Sequence, residues 1–163
     1  MIRAKVLVVG PAEAGKSTLI RTLCARSMNL AVGGRTVALD QAMLYQGGDS
    51  LLVVGVPGQP RFAPVREALA QGTSALVWVH PPGSAPDPST VELLRFEPLC
   101  DIPYVVFVNH KGVPTKSQPF RQPSSLPAPQ KVFEGCFEPR GPILDDLESI
   151  LWELVSIPEP SRL

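Results

Sequence analysis

Gly10, Gly15, Lys16 and Ser17 are spaced as G-x-x-x-x-G-K-[ST], and that spacing suits one kind of chemistry, the cradling of a polyphosphate. Glycine lets the backbone pass close to an anion, so successive amides can converge on it as a nest. Lys16 supplies a point charge on a flexible stem, able to reach β- and γ-phosphates. Ser17 supplies a hydroxyl suited to Mg²⁺. Glu13, Ala14 and Thr18 complete the set of loop residues expected to contact phosphate. The Glu13 carboxylate must point outward, because a negative side chain beside a polyphosphate is unfavourable.

Such a loop works only between a strand and a helix. The apolar run Val6-Leu7-Val8-Val9 precedes it and Thr18-Leu19-Ile20-Arg21-Thr22-Leu23 follows it. These predict a strand from about Arg3 to Val9 and a helix from about Lys16 to Arg26, whose positive end faces the anion. Met43-Leu44-Tyr45 and Ser50-Leu51-Leu52-Val53-Val54, joined through Gly47-Gly48-Asp49, read as an antiparallel hairpin. A short helix is expected around 64–69. Ala75–Val79 and Tyr104–Val108 are almost purely apolar, as strands covered on both faces must be. Thr90–Phe96 reads as the helix between them, and Lys131–Glu134 as a last strand. Ile143, Leu144, Leu147, Ile150, Leu151 and Leu154 recur at helical spacing and predict a closing amphipathic helix. Residues 81–88 are a loop by composition. Five prolines between residues 111 and 130 forbid an ordinary helix there. That stretch reads either as a solvated loop or as a polyproline segment for a partner.

The chain has 163 residues, enough for one self-sufficient domain without staples. Fifteen basic residues balance fifteen acidic ones, so the net charge of zero gives no footprint for nucleic acid or an anionic membrane. Charged residues make up only 18% and hydrophobic ones 44%, which fits either a well-filled core or a surface with apolar patches for a protein partner. Cys24, Cys100 and Cys136, an odd number without paired spacing, read as reduced thiols in a cytoplasmic protein. His80 and His110 lack the neighbours a metal site needs and read as loop or strand-end residues. No apolar stretch is long enough for a membrane span, and neither end carries a leader or lipidation motif.

Four further segments fall in the order found in Ras-like small GTPases. Gly34-Arg35-Thr36 stands where the first switch would lie. Val54-Gly55-Val56-Pro57-Gly58-Gln59-Pro60-Arg61-Phe62 resembles the second switch, D-x-P-G-Q-E-R-F. Val108-Asn109-His110-Lys111-Gly112 stands in the place of N-K-x-D, and Glu134-Gly135-Cys136 in that of the S-A-K loop. The resemblance spans residues 1–157, with 158–163 as a tail, and within the superfamily is nearest to bacterial MglA-like small GTPases. It implies an α/β P-loop G-domain with a six-stranded, mostly parallel sheet flanked by helices on both faces. The second strand is antiparallel, and the proline-rich loop at 111–130 replaces the usual helix.

The same resemblance implies a cytoplasmic switch that binds GTP and GDP with Mg²⁺ and hydrolyses GTP slowly. Ser17 and Thr36 would hold the metal; Thr36 and the amide of Gly58 would sense the γ-phosphate. Gln59 would orient water and Arg35 would act as an arginine finger in cis, beside Lys16. Asn109, His110, Lys111, Gly135 and Cys136 would line the base. A regulator or effector, such as a roadblock-fold protein, would bind the switch face. The departures are specific. Gly55 replaces the aspartate on the Mg²⁺ side, where Asp40 could compensate. Gly112 replaces the aspartate that reads guanine, and His110 replaces the lysine along the base. These leave a second reading open, a G-domain kept as a protein-interaction scaffold. The loop motif by itself also leaves open an ATP-using phosphohydrolase or kinase of another class.

Overall fold

The computed structural model describes residues 3–23, 41–56, 68–97, 99–110, 120–136 and 142–156. Six strands form one sheet: β1 (Arg3–Val9), β2 (Gln41–Gln46), β3 (Asp49–Gly55), β4 (Ala75–His80), β5 (Tyr104–Asn109) and β6 (Val132–Gly135). The helices are α1 (Lys16–Leu23), α2 (Pro88–Arg95) and α3 (Pro142–Ser156), with a 3₁₀ turn at Leu99–Asp101. Strand order is β2-β3-β1-β4-β5-β6. Every pairing is parallel except β2 with β3, which is antiparallel. This is the six-stranded P-loop G-domain sheet that the sequence predicts.

Burial explains the order. All six residues of β4 and all six of β5 are buried, as unbroken apolar runs require. Alternate side chains go to opposite faces. Val6, Val8, Val77, Val105 and Phe107 meet α1 and α3 through Leu19, Ile20, Leu147 and Leu151. Leu7, Val9, Leu76, Trp78 and Val106 meet α2 through Leu93 and Leu94, together with Leu99, Ala70 and Leu126. Each fully buried leucine of this kind contributes ~1.5–3 kcal/mol.

The boundaries differ from expectation in small, explicable ways. α2 begins at Pro88, inside the expected loop, because Asp87 caps it: Thr90 N and Thr90 Oγ1 donate to Asp87 Oδ2 at 3.1 and 2.7 Å. Proline suits the first helical turn, which needs no amide there. β6 extends to Gly135, one residue beyond Glu134, since Asn109 pairs with Gly135. The expected helix around 64–69 is described only at its end, where residues 68–70 are helical.

The described part of the proline-rich stretch, 120–130, contains no helix. It is fastened instead by single bonds. Tyr104 Oη donates to Pro127 O at 2.6 Å, and Gln130 N donates to Tyr104 O at 2.8 Å. Gln122 Nε2 donates to Leu126 O at 2.9 Å, and Leu126 is buried against the α2-side core.

Candidate phosphate-binding site

The loop leaves β1 at Gly10, whose φ is +149°. No L side chain fits there: a Cβ would come closer than 3.0 Å to the Val79 carbonyl oxygen of β4. Glycine therefore lets the chain turn away from the sheet while still in contact with it. Positive φ recurs at Glu13 (+65°) and Gly15 (+102°). Such reversals turn consecutive amides toward a common side. Ala14 N closes the turn by donating to Pro11 O at 3.3 Å. Glu13 is exposed.

Leu19 N donates to Gly15 O at 2.9 Å, which makes Gly15 the residue from which α1 starts. Residues 15–18 then form the first turn, whose amides and dipole favour an anion. Lys16 Nζ donates to Gly10 O at 2.6 Å and Pro11 O at 2.9 Å. Those bonds lay the ammonium across the mouth of the loop. A positive charge, a helix N-terminus and a left-handed turn thus meet at the carboxyl ends of β1 and β4, where open α/β sheets bind ligands.

The far side of the site is tied to the same loop. Asn109, the last residue of β5 and 3% exposed, donates from Nδ2 to Ala14 O at 3.0 Å. His110 N donates to Gly135 O at 2.9 Å. The fold thereby places Gly10, Glu13, Ala14, Gly15, Lys16, Ser17 and Thr18 with Asn109, His110, Gly135 and Cys136 at the carboxyl ends of β1, β5 and β6. Gly55 ends β3 opposite Val8 of β1, so the position where the resemblance expects a metal-side aspartate carries no carboxylate. The hydroxyl of Ser17 fits a hard cation beside phosphate. Arg35, Thr36, Asp40, Gly58, Gln59 and Lys111 lie outside the described residues.

His80 is a strand-end residue, as expected, and is buried; its Nε2–H donates to Ser84 O at 3.0 Å. Among the described residues no three of His, Cys, Asp and Glu converge as a metal site, and neither Cys100 nor Cys136 is in a disulfide. No described helix is long and apolar enough to cross a membrane.

Two features carry no sequence signal. The Asn109–Ala14 bond joins residues 95 apart and depends on strand register. Lys5 turns its ammonium onto the carbonyls of Leu69 (2.6 Å) and Gln71, capping the helical end at 68–70, and burial lowers its pKa. A lysine near the start of a strand reads as solvent-facing.

Residues 5–110 match the family described as 50S ribosome-binding GTPase. An uncharacterized protein of Methanocaldococcus jannaschii is 29% identical over 109 residues, 67% of this chain and 71% of that protein. Translation initiation factor IF-2 of Streptococcus mutans is 26% identical over 107 residues, 64% of this chain but 12% of the factor. The crystal structure of the bacterial selenocysteine-specific elongation factor EF-Sec superposes with a TM-score of 0.66 at 19% identity, over 95% of this chain and 29% of that one. The likeness to EF-Sec is one of fold. The match covers the loop, the hairpin and the strands through Asn109, which is the part that builds the site. The chain belongs to the 50S ribosome-binding GTPase family of P-loop GTP-binding domains.

Proposed function

We propose that the protein is a guanine-nucleotide switch: it binds GTP and GDP with Mg²⁺ on the Gly10–Ser17 loop, hydrolyses GTP slowly, and signals through the segments around Thr36 and Gly58. The observation that carries this reading is the Lys16 ammonium held over Gly10 and Pro11 at the N-terminus of α1. A cation and a helix N-terminus brought to one loop would favour the charge of a polyphosphate. Bound Mg²⁺ would neutralise phosphate charge, with Ser17 and Thr36 as its protein ligands. Gln59 would orient the attacking water and Arg35 would stabilise charge developing on the γ-phosphate. Loss of that phosphate would release Thr36 and Gly58, so the switch face would present a different surface to a regulator or effector. Arg35 and the run Pro57–Phe62 support an MglA-like relationship and, with it, a roadblock-fold partner.

Base reading is expected to be weaker than in relatives with a full N-K-x-D. Asn109 serves the loop through Ala14 O, and Gly112 offers no carboxylate to the guanine edge. The test is base analysis of nucleotide released from freshly purified protein, with calorimetry against GDP and GTPγS. Bound guanine nucleotide, with different affinities for the two, supports the switch. Equal or absent binding would leave the scaffold reading in its place.

A further inference from the structure

We propose that the Phe120 ring is a latch: seated against Trp78 and His80, it holds the proline-rich return segment on the sheet, and a positive charge on His80 releases it. Phe120 lies in the proline-rich segment that follows β5 and leads back to β6. Its ring meets Trp78 edge-to-face at 5.3 Å and His80 at 5.1 Å between centroids. Trp78 and His80 themselves meet edge-to-face at 6.1 Å. Both lie on the α2 side of β4 and are essentially inaccessible, at 0% and 2% exposure. From Phe120 the segment runs through Leu126, packed in the core, and Pro127, whose carbonyl accepts from the Tyr104 hydroxyl, to Gln130, whose N donates to Tyr104 O.

The imidazole is set in one form. A carbonyl can only accept, so the bond to Ser84 O makes Nε2 the protonated nitrogen and leaves Nδ1 as an acceptor. Among the described residues Nδ1 meets no donor, and neither does the buried Trp78 Nε1–H meet an acceptor. Protonating Nδ1 would place a cation and a second donor in a niche walled by indole and phenyl rings. Burial accordingly holds the His80 pKa below its ordinary value of 6.5, against opposing contributions from the Ser84 carbonyl and the Asp87 carboxylate. The other titratable or charged groups near this niche are the phenol of Tyr104 on β5, the exposed Arg121 beside Phe120, and His110, which lies beyond Val108, the residue paired with His80. On this face β1 presents Leu7 and Val9 and, at the far end, Lys5, whose ammonium is bonded to the Leu69 and Gln71 carbonyls. Of the two rings against the imidazole, Trp78 belongs to β4 and Phe120 lies outside any strand, so the charge bears on the contact that the sheet does not hold.

The experiment needs no nucleotide, so its result is independent of the switch proposal. Trp152→Phe leaves Trp78 as the sole indole, since the chain has two tryptophans. Its emission is followed from about pH 7.5 to about pH 5, the range in which histidine titrates. The expected result is a red shift and quench with a midpoint below 6.5, abolished by His80→Gln and mimicked at neutral pH by Phe120→Ala. Hydrogen exchange on the unmodified protein, corrected for intrinsic pH dependence, gives a second reading that survives misfolding of a variant. The amides of Leu126 and Gln130 should lose protection about three- to tenfold in acid, the span of one edge-to-face contact, while those of β4 hold. Unchanged Trp78 emission, the same transition persisting in His80→Gln, or Leu126 and Gln130 losing no more protection than β4 would each overturn the latch.

Discussion

Replacing Gly10 by alanine tests whether the loop needs the close approach that the fold gives it. Two costs add. A side chain at φ +149° sits in a region open almost only to glycine, worth about 1–3 kcal/mol. The new Cβ would also press into the Val79 carbonyl, and displacing β4 backbone resembles overpacking a core, again about 1–3 kcal/mol. A mid-range total near 4 kcal/mol lowers Tm by about 8–16 °C for a domain of this size. Gly47→Ala is the control: its φ is +60° with no atom within 4 Å of the added Cβ, so only a backbone penalty of about 1 kcal/mol applies. Thermal unfolding of both variants by circular dichroism separates clash from strain. Gly10→Ala melting within about 2 °C of the parent, or no lower than Gly47→Ala, would refute the close-approach argument.

Lys16→Met should weaken GTPγS and GDP binding by about 10- to 100-fold, the equivalent of a charged hydrogen bond, with little change in Tm; calorimetry reads it. Asn109→Leu removes the donor to the buried Ala14 carbonyl and should cost about 1–3 kcal/mol in urea denaturation, because that oxygen is left unsatisfied. Tyr104→Phe deletes the bond to Pro127 O and should cost about 1 kcal/mol, with exchange rising at residues 122–130 before the sheet. For pH, the depressed His80 pKa sets the sign: its neutral form contributes stability that is complete above 6.5 and is lost as pH falls through the lower folded-state pKa. Urea midpoints across that range should fall toward acid, and His80→Gln should flatten the part of the slope due to this ring.

The architecture was legible because the chain writes its central strands as unbroken apolar runs. Ala75–His80 and Tyr104–Asn109 admit no alternating reading, so a sheet covered on both faces had to follow. The loop was legible because Gly10, Gly15, Lys16 and Ser17 state its chemistry in residue types. What the sequence hid is what register and long-range approach decide. Asn109 reads as a base contact, and only the strand ends reveal its bond to Ala14 O. Prolines rule out a helix at 120–130, but they do not say that Tyr104 and Trp78 will receive the segment. Lys5 lies in the same blind spot, since its acceptors are backbone carbonyls, which no residue type announces.

The position of β1 bears on how the molecule is made. Although β1 precedes the other strands along the chain, it lies between β3 and β4, and its register partners run from Ser50 to Trp78. A ribosome synthesising this protein therefore releases Val6–Val9 long before either neighbour exists. This apolar run must wait unpaired through roughly forty-five residues of elongation until β3 emerges, and with one side open through roughly seventy until β4 does, at about 5–20 residues per second. Slowing translation ahead of β4 should lengthen that exposure and raise the demand for chaperones, whereas slowing it after Trp78 should not.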